Sequence, residues 1–205
     1  MKNNAILITG ATGLIGSYLV KHFANAGKNI IATSRSIDKL EELRDSLGNL
    51  KNNVHIVCQD LMDNDASIEL RKKIETQGIS VAQIVNNARS LEHLKQDENG
   101  VINEKQFSDE MKLDVIVPYR IVNEFLNSNN HTLREIVNIS SMYGVVVPNP
   151  KLYDEGDIGC PINYGVAKAA MNHITKELAV RLSKTNVRVN SIAFGGIQGR
   201  TSQEF

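Results

Sequence analysis

Short apolar runs rich in β-branched residues alternate along the chain with longer segments whose apolar residues recur at helical spacing. The short runs predict six strands, at residues 5–9, 29–33, 54–58, 82–86, 135–140 and 187–192. The longer segments predict five helices, near residues 14–26, 37–47, 66–77, 104–126 and 163–182. Strict alternation of strand and helix is typical of βαβ units around a buried parallel sheet.

This pattern predicts a doubly wound α/β domain of Rossmann type, with three αβα layers. Such a sheet binds ligands beyond the carboxyl ends of its strands, so we expect function to concentrate directly after each strand. The 205 residues form one predicted domain, because no composition shift or repeat divides residues 1–205. Two polar stretches, 89–103 and 142–161, interrupt the alternation, and Pro118 is expected to kink the fourth helix.

Composition narrows the classes of function. Lys plus Arg and Asp plus Glu both number 23, and this zero net charge argues against a nucleic-acid partner. Cys58 and Cys160 lie far apart, which favours neither a disulfide framework nor a zinc site, and the five histidines show no metal spacing. No apolar run approaches the roughly 18 residues of a membrane span, so we expect a cytoplasmic protein that binds no metal and no membrane.

The first predicted strand runs directly into a glycine-rich turn, Thr9-Gly10-Ala11-Thr12-Gly13-Leu14-Ile15-Gly16, and then into a helix. Glycines let a backbone approach a pyrophosphate, and a helix N-terminus favours negative charge. A tight turn without a ligand is the alternative, but the strand before and the helix after favour a dinucleotide. The predicted cofactor-binding positions of this turn are Gly10, Thr12, Gly13, Leu14, Ile15 and Gly16.

The second predicted strand ends at Ser34 and Arg35, where an NAD site usually carries an acid for the ribose 2′-hydroxyl. A guanidinium suits the 2′-phosphate of NADP instead, so the sequence favours NADP(H) over NAD(H), although Arg35 alone could be a solvated side chain. Further predicted cofactor contacts follow the third and fourth strands, at Asp60, Leu61, Asn87 and Ala88. Asp60 read alone could equally cap the next helix.

Tyr164 and Lys168 are four residues apart and share one face of the fifth predicted helix. A phenol ordinarily ionises near pH 10, and a neighbouring ammonium favours the phenolate. Taken alone, this spacing is common on amphipathic helices. Its position after Ser140-Ser141 and downstream of the glycine turn favours a catalytic pair.

Together these motifs resemble the short-chain dehydrogenase/reductase family over nearly the whole chain. The matching segments are Thr9-Gly10 with Gly13 and Gly16, Asp60, Asn86-Asn87-Ala88, Ser140-Ser141, Tyr164 with Lys168, and Arg188-Val189-Asn190-Ser191. The resemblance implies hydride exchange between a nicotinamide and a carbonyl or secondary alcohol. It further implies that Tyr164 is the acid–base residue, that Ser141 holds the substrate oxygen, and that Lys168 binds the nicotinamide ribose and supports Tyr164.

The chain departs from the family pattern in four places. The glycine spacing is closer to that of the family's extended branch, whereas the chain length fits its shorter branch. Asp114 matches the asparagine that completes the family's catalytic tetrad, and an ionised acid cannot donate as an amide does. Gly195 and Ile197 take the place of the Pro-Gly segment that flanks the nicotinamide. Ser141 and Tyr164 are separated by an enlarged loop.

The sequence of that loop resembles the loop of a bacterial subgroup associated with polysaccharide and flagellin sugar biosynthesis. This resemblance suggests a sugar or sugar-nucleotide substrate. Alternative functions are a 3-oxoacyl thioester reductase and a dinucleotide-binding scaffold without catalysis. The resemblance also implies a homodimer or homotetramer. Family members continue beyond the sixth strand through a lid and a last strand, which this sequence is expected to lack. The charged stretch 92–98 is predicted to be a solvated loop without a role.

Overall fold

A computed structural model describes residues 4–128, 131–149, 151 and 159–197. Within these residues six strands form one parallel sheet in the order β3-β2-β1-β4-β5-β6. The strands are β1 Asn4–Thr9, β2 Asn29–Ser34, β3 Val54–Cys58, β4 Ser80–Asn86, β5 Glu135–Ser141 and β6 Arg188–Phe194. The predicted doubly wound α/β fold is confirmed, and each strand bound lies within two residues of its prediction.

Helices connect the strands and cover both faces of the sheet. They are α1 Leu14–Asn25, α2 Ile37–Asp45, α3 Ala66–Glu75, α4 Glu104–Met111, α5 Val117–Leu126 and α6 Ile162–Arg181. Alternate residues of a strand face opposite sides, so Leu7 and Ile8 of β1 belong to two separate apolar cores. Leu7 packs with side chains of α3, α5 and α6, and Ile8 packs with those of α1 and α2.

The predicted fourth helix is not continuous. A π-helical segment, Lys112–Ile116, separates α4 from α5, and the Val117 N–H donates to the Lys112 carbonyl five residues back. Pro118 lies in the first turn of α5, where a missing N–H costs little, and the helix changes its hydrogen-bond register directly before it. The π segment contains the buried Asp114.

Buried polar side chains fix α6 against the centre of the sheet. Asn86 Nδ2 donates to Asn138 Oδ1 at 2.8 Å between the paired strands β4 and β5. Asn138 Nδ2 in turn donates to Thr175 Oγ1 of α6 at 2.9 Å. A buried amide without hydrogen-bond partners destabilises the folded state. These bonds therefore favour one position of α6 relative to β4 and β5.

None of the helices in the described part of the chain is long and apolar enough to cross a membrane. The same residues contain no group of three His, Cys, Asp or Glu side chains placed to hold a metal ion. Residues 152–158, with Tyr153 and Gly156 of the enlarged loop, and residues 198–205 lie outside the described residues.

Candidate active site

The turn after β1 is packed so closely that it excludes side chains at two positions. A Cβ on Gly16 would overlap the Gly10 carbonyl oxygen and lie 2.8 Å from the Ala11 Cα. A Cβ on Gly10 would lie 2.7 Å from the Ala88 Cα, and Gly10 has a φ of 64°, which favours glycine. The sequence predicted this turn from its glycines, and the packing gives the physical reason for two of them.

The same turn presents the N-terminus of α1 at the edge of the sheet. Gly13 precedes the helix without a side-chain cap, and the first helical turn carries no acidic residue. Leu14 is exposed, whereas Thr12 and Ile15 are half-buried beside it. Backbone N–H groups and the positive end of the helix dipole at such a position suit a phosphate group.

Asn87 joins the end of β4 to the glycine turn. Its Nδ2 donates to the carbonyls of Thr9 at 2.9 Å and of Gly10 at 3.2 Å. Thr9 Oγ1 accepts from the backbone N–H groups of Asn87 and Ala88 at 2.9 and 3.0 Å. The structure therefore brings these predicted cofactor positions into direct contact with Gly10, and the Asn87 amide already serves to hold the turn.

Ser34 and Arg35 follow β2 at the neighbouring strand end. The Ala11 N–H donates to the Thr33 carbonyl at 3.0 Å, so the end of β2 touches the glycine turn. Arg35 is exposed, and Ser34 Oγ bonds within its own turn to the backbone of Ser36. The Arg35 guanidinium is therefore open to solvent close to the glycine turn.

Asp60 and Leu61 follow β3, the outermost strand on this side. The exposed Asp60 accepts from the Met62 N–H at 2.9 Å, so its carboxylate closes the turn after β3. Asp60 does not cap α3, which begins at Ala66. Leu61 is buried in the core, where its side chain supports the turn from beneath.

Lys168 is enclosed between α6, β5 and the π segment. Its Nζ lies 2.8 Å from Asp114 Oδ2 and donates to the Ile139 carbonyl at 3.0 Å. The Lys168 side chain is 6% exposed and that of Asp114 is 1% exposed. Lys168 Nζ also lies 5.6 Å from the centre of the Tyr164 ring. The structure thus brings three of the four predicted catalytic residues, Tyr164, Lys168 and Asp114, into one cluster.

The fourth predicted catalytic residue, Ser141, ends β5 and is 6% exposed. Its Oγ accepts from the Tyr143 N–H at 3.2 Å, whereas Ser140 Oγ donates to the Lys168 carbonyl at 3.3 Å. The turn that follows packs on α6, since a Cβ on Gly144 would lie 2.6 Å from the Lys168 carbonyl carbon. Ser140 therefore anchors the strand to α6.

Two buried ionisable residues beside this cluster escaped sequence reasoning. Glu110 at the end of α4 is fully buried, and its Oε2 lies 3.4 Å from His93 Nδ1. Burial, aided by the charge of Asp114, raises the pKa of Glu110 to about 7. His93 belongs to the stretch predicted to be solvated, but its side chain is only 13% exposed and burial lowers its pKa. The helical spacing of Glu110, Leu113 and Val117 was the available signal, because it places Glu110 on the apolar face.

Arg89 is a third residue that the sequence did not single out. It is exposed, and its guanidinium carbon lies 4.5 Å from the centre of the Tyr164 ring. Tyr164 is thus contacted by two cations, Arg89 and Lys168. Cys160 lies nearby, but burial raises the pKa of its thiol to about 11, which disfavours a thiolate nucleophile.

A cavity of about 10 Å³, near the lower limit for one water molecule, lies between Lys168, Asp114 and the end of β1. The other residues that line this cavity are Thr9, Asn86, Ala88, Leu113, Val117, Pro118, Ile139 and Met171. The predicted nicotinamide-flanking residues, Gly195 and Ile197, follow the end of β6. A Cβ on Gly195 would lie 3.8 Å from Met142 Sδ, and Ile197 is half-buried at the end of the described chain.

The fold and the clustered motifs define a doubly wound α/β domain of the nucleotide-binding class. Residues 4–205 match the family model for short chain dehydrogenases, and the chain belongs to this family of oxidoreductases. Its relatives include the NADP-dependent 3-hydroxy acid dehydrogenase YdfG of Escherichia coli O157:H7. That protein is 27% identical over 195 residues, which cover 95% of this chain and 73% of the relative.

Two further similarities bear on the expectations drawn from the sequence. The post-translational flagellin modification protein A of Campylobacter coli is 42% identical over 62 residues, which are 30% of this chain and 24% of that protein. Among solved structures, a putative D-mannonate oxidoreductase from Haemophilus influenza with bound NAD matches with a TM-score of 0.80. It is 21% identical, and the match covers 98% of this chain and 73% of the other.

Proposed function

We propose that this chain is an NADP-dependent oxidoreductase that reduces a carbonyl group or oxidises a secondary alcohol at Tyr164. The observation that carries this proposal is the enclosed ammonium of Lys168, held by Asp114 and the Ile139 carbonyl within 5.6 Å of the Tyr164 ring centre. A buried ammonium is retained against its desolvation cost only where partners hold it. Here those partners hold it beside the phenol that the family pattern requires.

The residues at the carboxyl ends of β1 and β2 suit a dinucleotide. The backbone around Gly10 and Gly16 leaves no room for a Cβ atom. The first turn of α1 lies at the same place and carries no acidic residue. The turn from Gly10 to Gly16 would hold the pyrophosphate and Asp60 and Leu61 would border the adenine. Asn87 and Ala88 would border a ribose, and Lys168 would bind the nicotinamide ribose. Gly195 and Ile197 would flank the nicotinamide.

A nicotinamide held by these residues would supply the hydride for carbonyl reduction and would accept it in alcohol oxidation. Tyr164 Oη accepts the hydroxyl proton during oxidation and donates a proton to the carbonyl oxygen during reduction. Lys168 places a positive charge 5.6 Å from the centre of the Tyr164 ring. The Ser141 hydroxyl donates to the substrate oxygen and so holds it near Tyr164.

We propose NADP(H) over NAD(H) because Arg35 is exposed beside the glycine turn and no acid directly follows β2. The similarity to a flagellin modification protein and the polar enlarged loop support a sugar or sugar nucleotide as the substrate. The exposed Arg89 guanidinium over Tyr164 supports a polar ligand in the same place.

We further propose a homo-oligomer. Helices α5 and α6 leave apolar side chains exposed, with Tyr119 at 46%, Val166 at 43% and Val180 at 73%. Such exposed apolar side chains suit helix packing between subunits. Light scattering is expected to give a dimer or tetramer, and a monomer at micromolar concentration would overturn this part of the proposal.

Turnover by Tyr164→Phe tests the catalytic proposal. The probes are NADPH or NADH with a nucleotide-linked keto sugar, a 3-keto acid or a 3-oxoacyl thioester. We expect kcat to fall about 10²- to 10⁴-fold, the contribution of positioned proton transfer, with dinucleotide affinity unchanged. Tyr18→Phe, at an exposed tyrosine of α1, is the matched control and should retain wild-type turnover.

The other candidate functions give different outcomes in the same experiment. Preference for the 3-oxoacyl thioester over the keto sugar would favour the thioester reductase. Dinucleotide binding without any Tyr164-dependent turnover would contradict the proposal and favour a binding scaffold.

A further inference from the structure

The guanidinium of Arg89 lies over the ring of the residue that the proposed function makes the acid–base group. Arg89 follows the last residue of β4 by three positions, and its guanidinium carbon lies 4.5 Å from the centre of the Tyr164 ring. The residue is exposed. Its side chain therefore extends from the end of β4 to the start of α6 and is open to solvent beside Tyr164.

The hydrogen-bond donors of this guanidinium are available to a ligand. Among the described residues, Arg89 makes no ion pair and no hydrogen bond, and its contact is with an aromatic ring. Arg71 and Arg188, by comparison, are each paired with glutamate carboxylates. A guanidinium carries five N–H donors in a planar fork that matches carboxylate and phosphate oxygens, and contact with the face of a ring leaves those donors free.

The groups around Arg89 compensate its positive charge only in part. Lys168, the second cation of this cluster, has its own partner in Asp114 at 2.8 Å. The charge of Arg89 acts on Glu110, but burial raises the pKa of Glu110 to about 7, so this carboxyl group is only partly ionised at neutral pH. The same charge acts on Cys160, where burial raises the pKa to about 11 and keeps the thiol neutral. This end of the site therefore presents positive charge to a ligand.

The direction of the Arg89 side chain favours the substrate over the phosphates of the proposed dinucleotide. Those phosphates belong to the glycine turn after β1 and to Arg35 after β2. Ala88 borders the glycine turn, but the guanidinium of Arg89 extends to Tyr164 on α6. In the proposed function the oxygen of the reacting carbonyl lies between Tyr164 and Ser141. An anion held by Arg89 is therefore placed close to the reacting carbon.

On these grounds we propose that Arg89 selects substrates that carry an anionic group, a carboxylate or a phosphate, close to the reacting carbon. This inference rests on the proposed function and adds a charge to its substrate class. Tyr164 and Ser141 hold the carbonyl or hydroxyl oxygen, and the Arg89 guanidinium binds the oxygens of the anion. Arg89 takes no part in the transfer of the proton or the hydride, so its role is in specificity.

Binding of matched keto compounds to the complex of the protein with NADP⁺ tests this inference without turnover. The pairs are acetoacetate with acetoacetamide, and dihydroxyacetone phosphate with dihydroxyacetone. The members of a pair share the carbonyl group and differ in charge, and NADP⁺ has no hydride to give them, so titration calorimetry measures each Kd. We expect the wild-type protein to bind one anion about 10- to 100-fold more tightly than its uncharged partner, the contribution of a charge-assisted hydrogen bond. Preference within the first pair assigns a carboxylate, and preference within the second assigns a phosphate.

Two substitutions of Arg89 connect the preference to its guanidinium. Arg89→Met removes the charge from a side chain of similar length and should abolish the preference by raising the Kd of the anion. Arg89→Lys should keep a part of the preference, because an ammonium retains the charge but not the planar fork. Arg134→Met is the matched control, since Arg134 is also exposed but directly precedes β5, at the opposite edge of the sheet. It should show the wild-type preference.

Turnover with NADPH gives the second readout. In Arg89→Met, kcat/KM for the preferred anion should fall by about the same factor as its binding, mainly through a higher KM, whereas kcat/KM for the uncharged partner should not fall. A merely structural role of Arg89 would lower both values alike. The Kd for NADPH should stay constant, and a rise in this Kd as large as that for the anion would assign the guanidinium to the dinucleotide and overturn the proposal.

The two proposals fail separately. Equal binding of the charged and uncharged members of both pairs, or a preference that survives Arg89→Met, would overturn the role of Arg89. With turnover still abolished by Tyr164→Phe, that result would leave the proposed function standing. Turnover that survives Tyr164→Phe would overturn the proposed function, and with it the assignment of the anion to a substrate. If Arg89→Met does not fold, the wild-type comparison and Arg89→Lys still decide.

Discussion

The two ends of the candidate site are built by different forces. At the end of β1, glycines let two backbone segments approach until no Cβ fits between Gly10 and Ala88, and the polar contacts are made mainly by the backbone and Asn87. At the end of β5 and the start of α6, the space is filled by the charged side chains of Lys168, Asp114 and Glu110, all nearly excluded from water.

Because of this difference, the two ends of the site should be sensitive to different kinds of mutation. The glycine corner depends on volume, since a methyl group there meets backbone atoms that cannot rotate away. The charged cluster depends on protonation and on partners, since a buried charge is tolerated only while it is compensated. Mutations that change size should therefore act mainly at the first end, and mutations or pH changes that alter charge should act mainly at the second.

The strongest test of the charged end is Lys168→Met. Removal of the ammonium leaves the buried Asp114 carboxylate without its ion-pair partner, and we expect the free energy of unfolding to fall by about 3–5 kcal/mol. Urea denaturation measures the change. Lys176→Met, at an exposed position of the same helix, should shift stability by less than about 0.5 kcal/mol. The double variant Lys168→Met with Asp114→Asn should recover part of the loss, and no recovery would contradict the charge argument.

The pH dependence of stability isolates Glu110. Its pKa is raised from 4.5 to about 7, so the folded protein holds this proton more tightly than the unfolded chain does. The contribution of Glu110 to stability is therefore fully present below about pH 4.5 and is lost as the pH rises towards about 7, with a total on the order of 3 kcal/mol.

Glu110→Gln should abolish this part of the pH dependence, which denaturation midpoints across that range will show. His55 and His93 have pKa values lowered by burial, so their contributions to stability are lost in the opposite direction, as the pH falls below about 6.5. His93 lies 3.4 Å from Glu110, so the difference between wild type and variant reports Glu110 together with its effect on His93. Parallel curves for the two proteins would show that folding does not raise the pKa of Glu110.

Gly16→Ala tests the glycine corner. The added methyl group overlaps the Gly10 carbonyl oxygen, and we expect a loss of about 2 kcal/mol together with weaker dinucleotide binding. Gly78→Ala is the contrasting control, because Gly78 has a φ of 70° but open space around its missing Cβ. It should cost about 1 kcal/mol from backbone strain alone and leave dinucleotide affinity unchanged. Equal effects of the two substitutions on binding would contradict the role of close packing.

The smallest effect on stability is expected from Arg35→Ser. Arg35 is exposed, so the free energy of unfolding should change by less than about 0.5 kcal/mol. The Kd for NADPH should nevertheless rise about tenfold or more, since a charge-assisted hydrogen bond contributes roughly 1.5–3 kcal/mol, while the Kd for NADH stays constant. Titration calorimetry measures the Kd for both nucleotides. An equal rise in the Kd for NADH would show that Arg35 does not determine the preference for NADPH.

The fold and most of the site were accessible from the sequence because they depend on local patterns. Apolar β-branched runs mark buried parallel strands, and glycine, serine and tyrosine motifs occur directly where those strands end. Asp114 was singled out in a different way, because it matches the tetrad asparagine of the family that the sequence resembles. The π segment was not predicted, since it changes only the hydrogen-bond register and not the apolar spacing that a pattern reports.

Glu110, His93 and Arg89 were missed because their roles come from tertiary packing. Glu110 lies in the polar segment Glu104–Met111, and its charge suggested exposure although its spacing to Leu113 suggested burial. His93 lies in a charged stretch whose members Glu92 and Lys95 are indeed exposed, whereas Asn163 Nδ2 donates to the His93 backbone carbonyl and holds that turn against α6. The contact of Arg89 with Tyr164 joins a strand end to a helix 75 positions further along the chain.

The central claim is that the strand ends bind a nicotinamide dinucleotide next to Tyr164. Calorimetric titration of the wild-type chain with NADPH and with NADH tests it most directly. The account predicts saturable binding of one NADPH per chain, tighter than that of NADH, and at about 100 times its Kd a gain of roughly 2.7 kcal/mol in stability. Absence of binding by either nucleotide to the folded protein would contradict it.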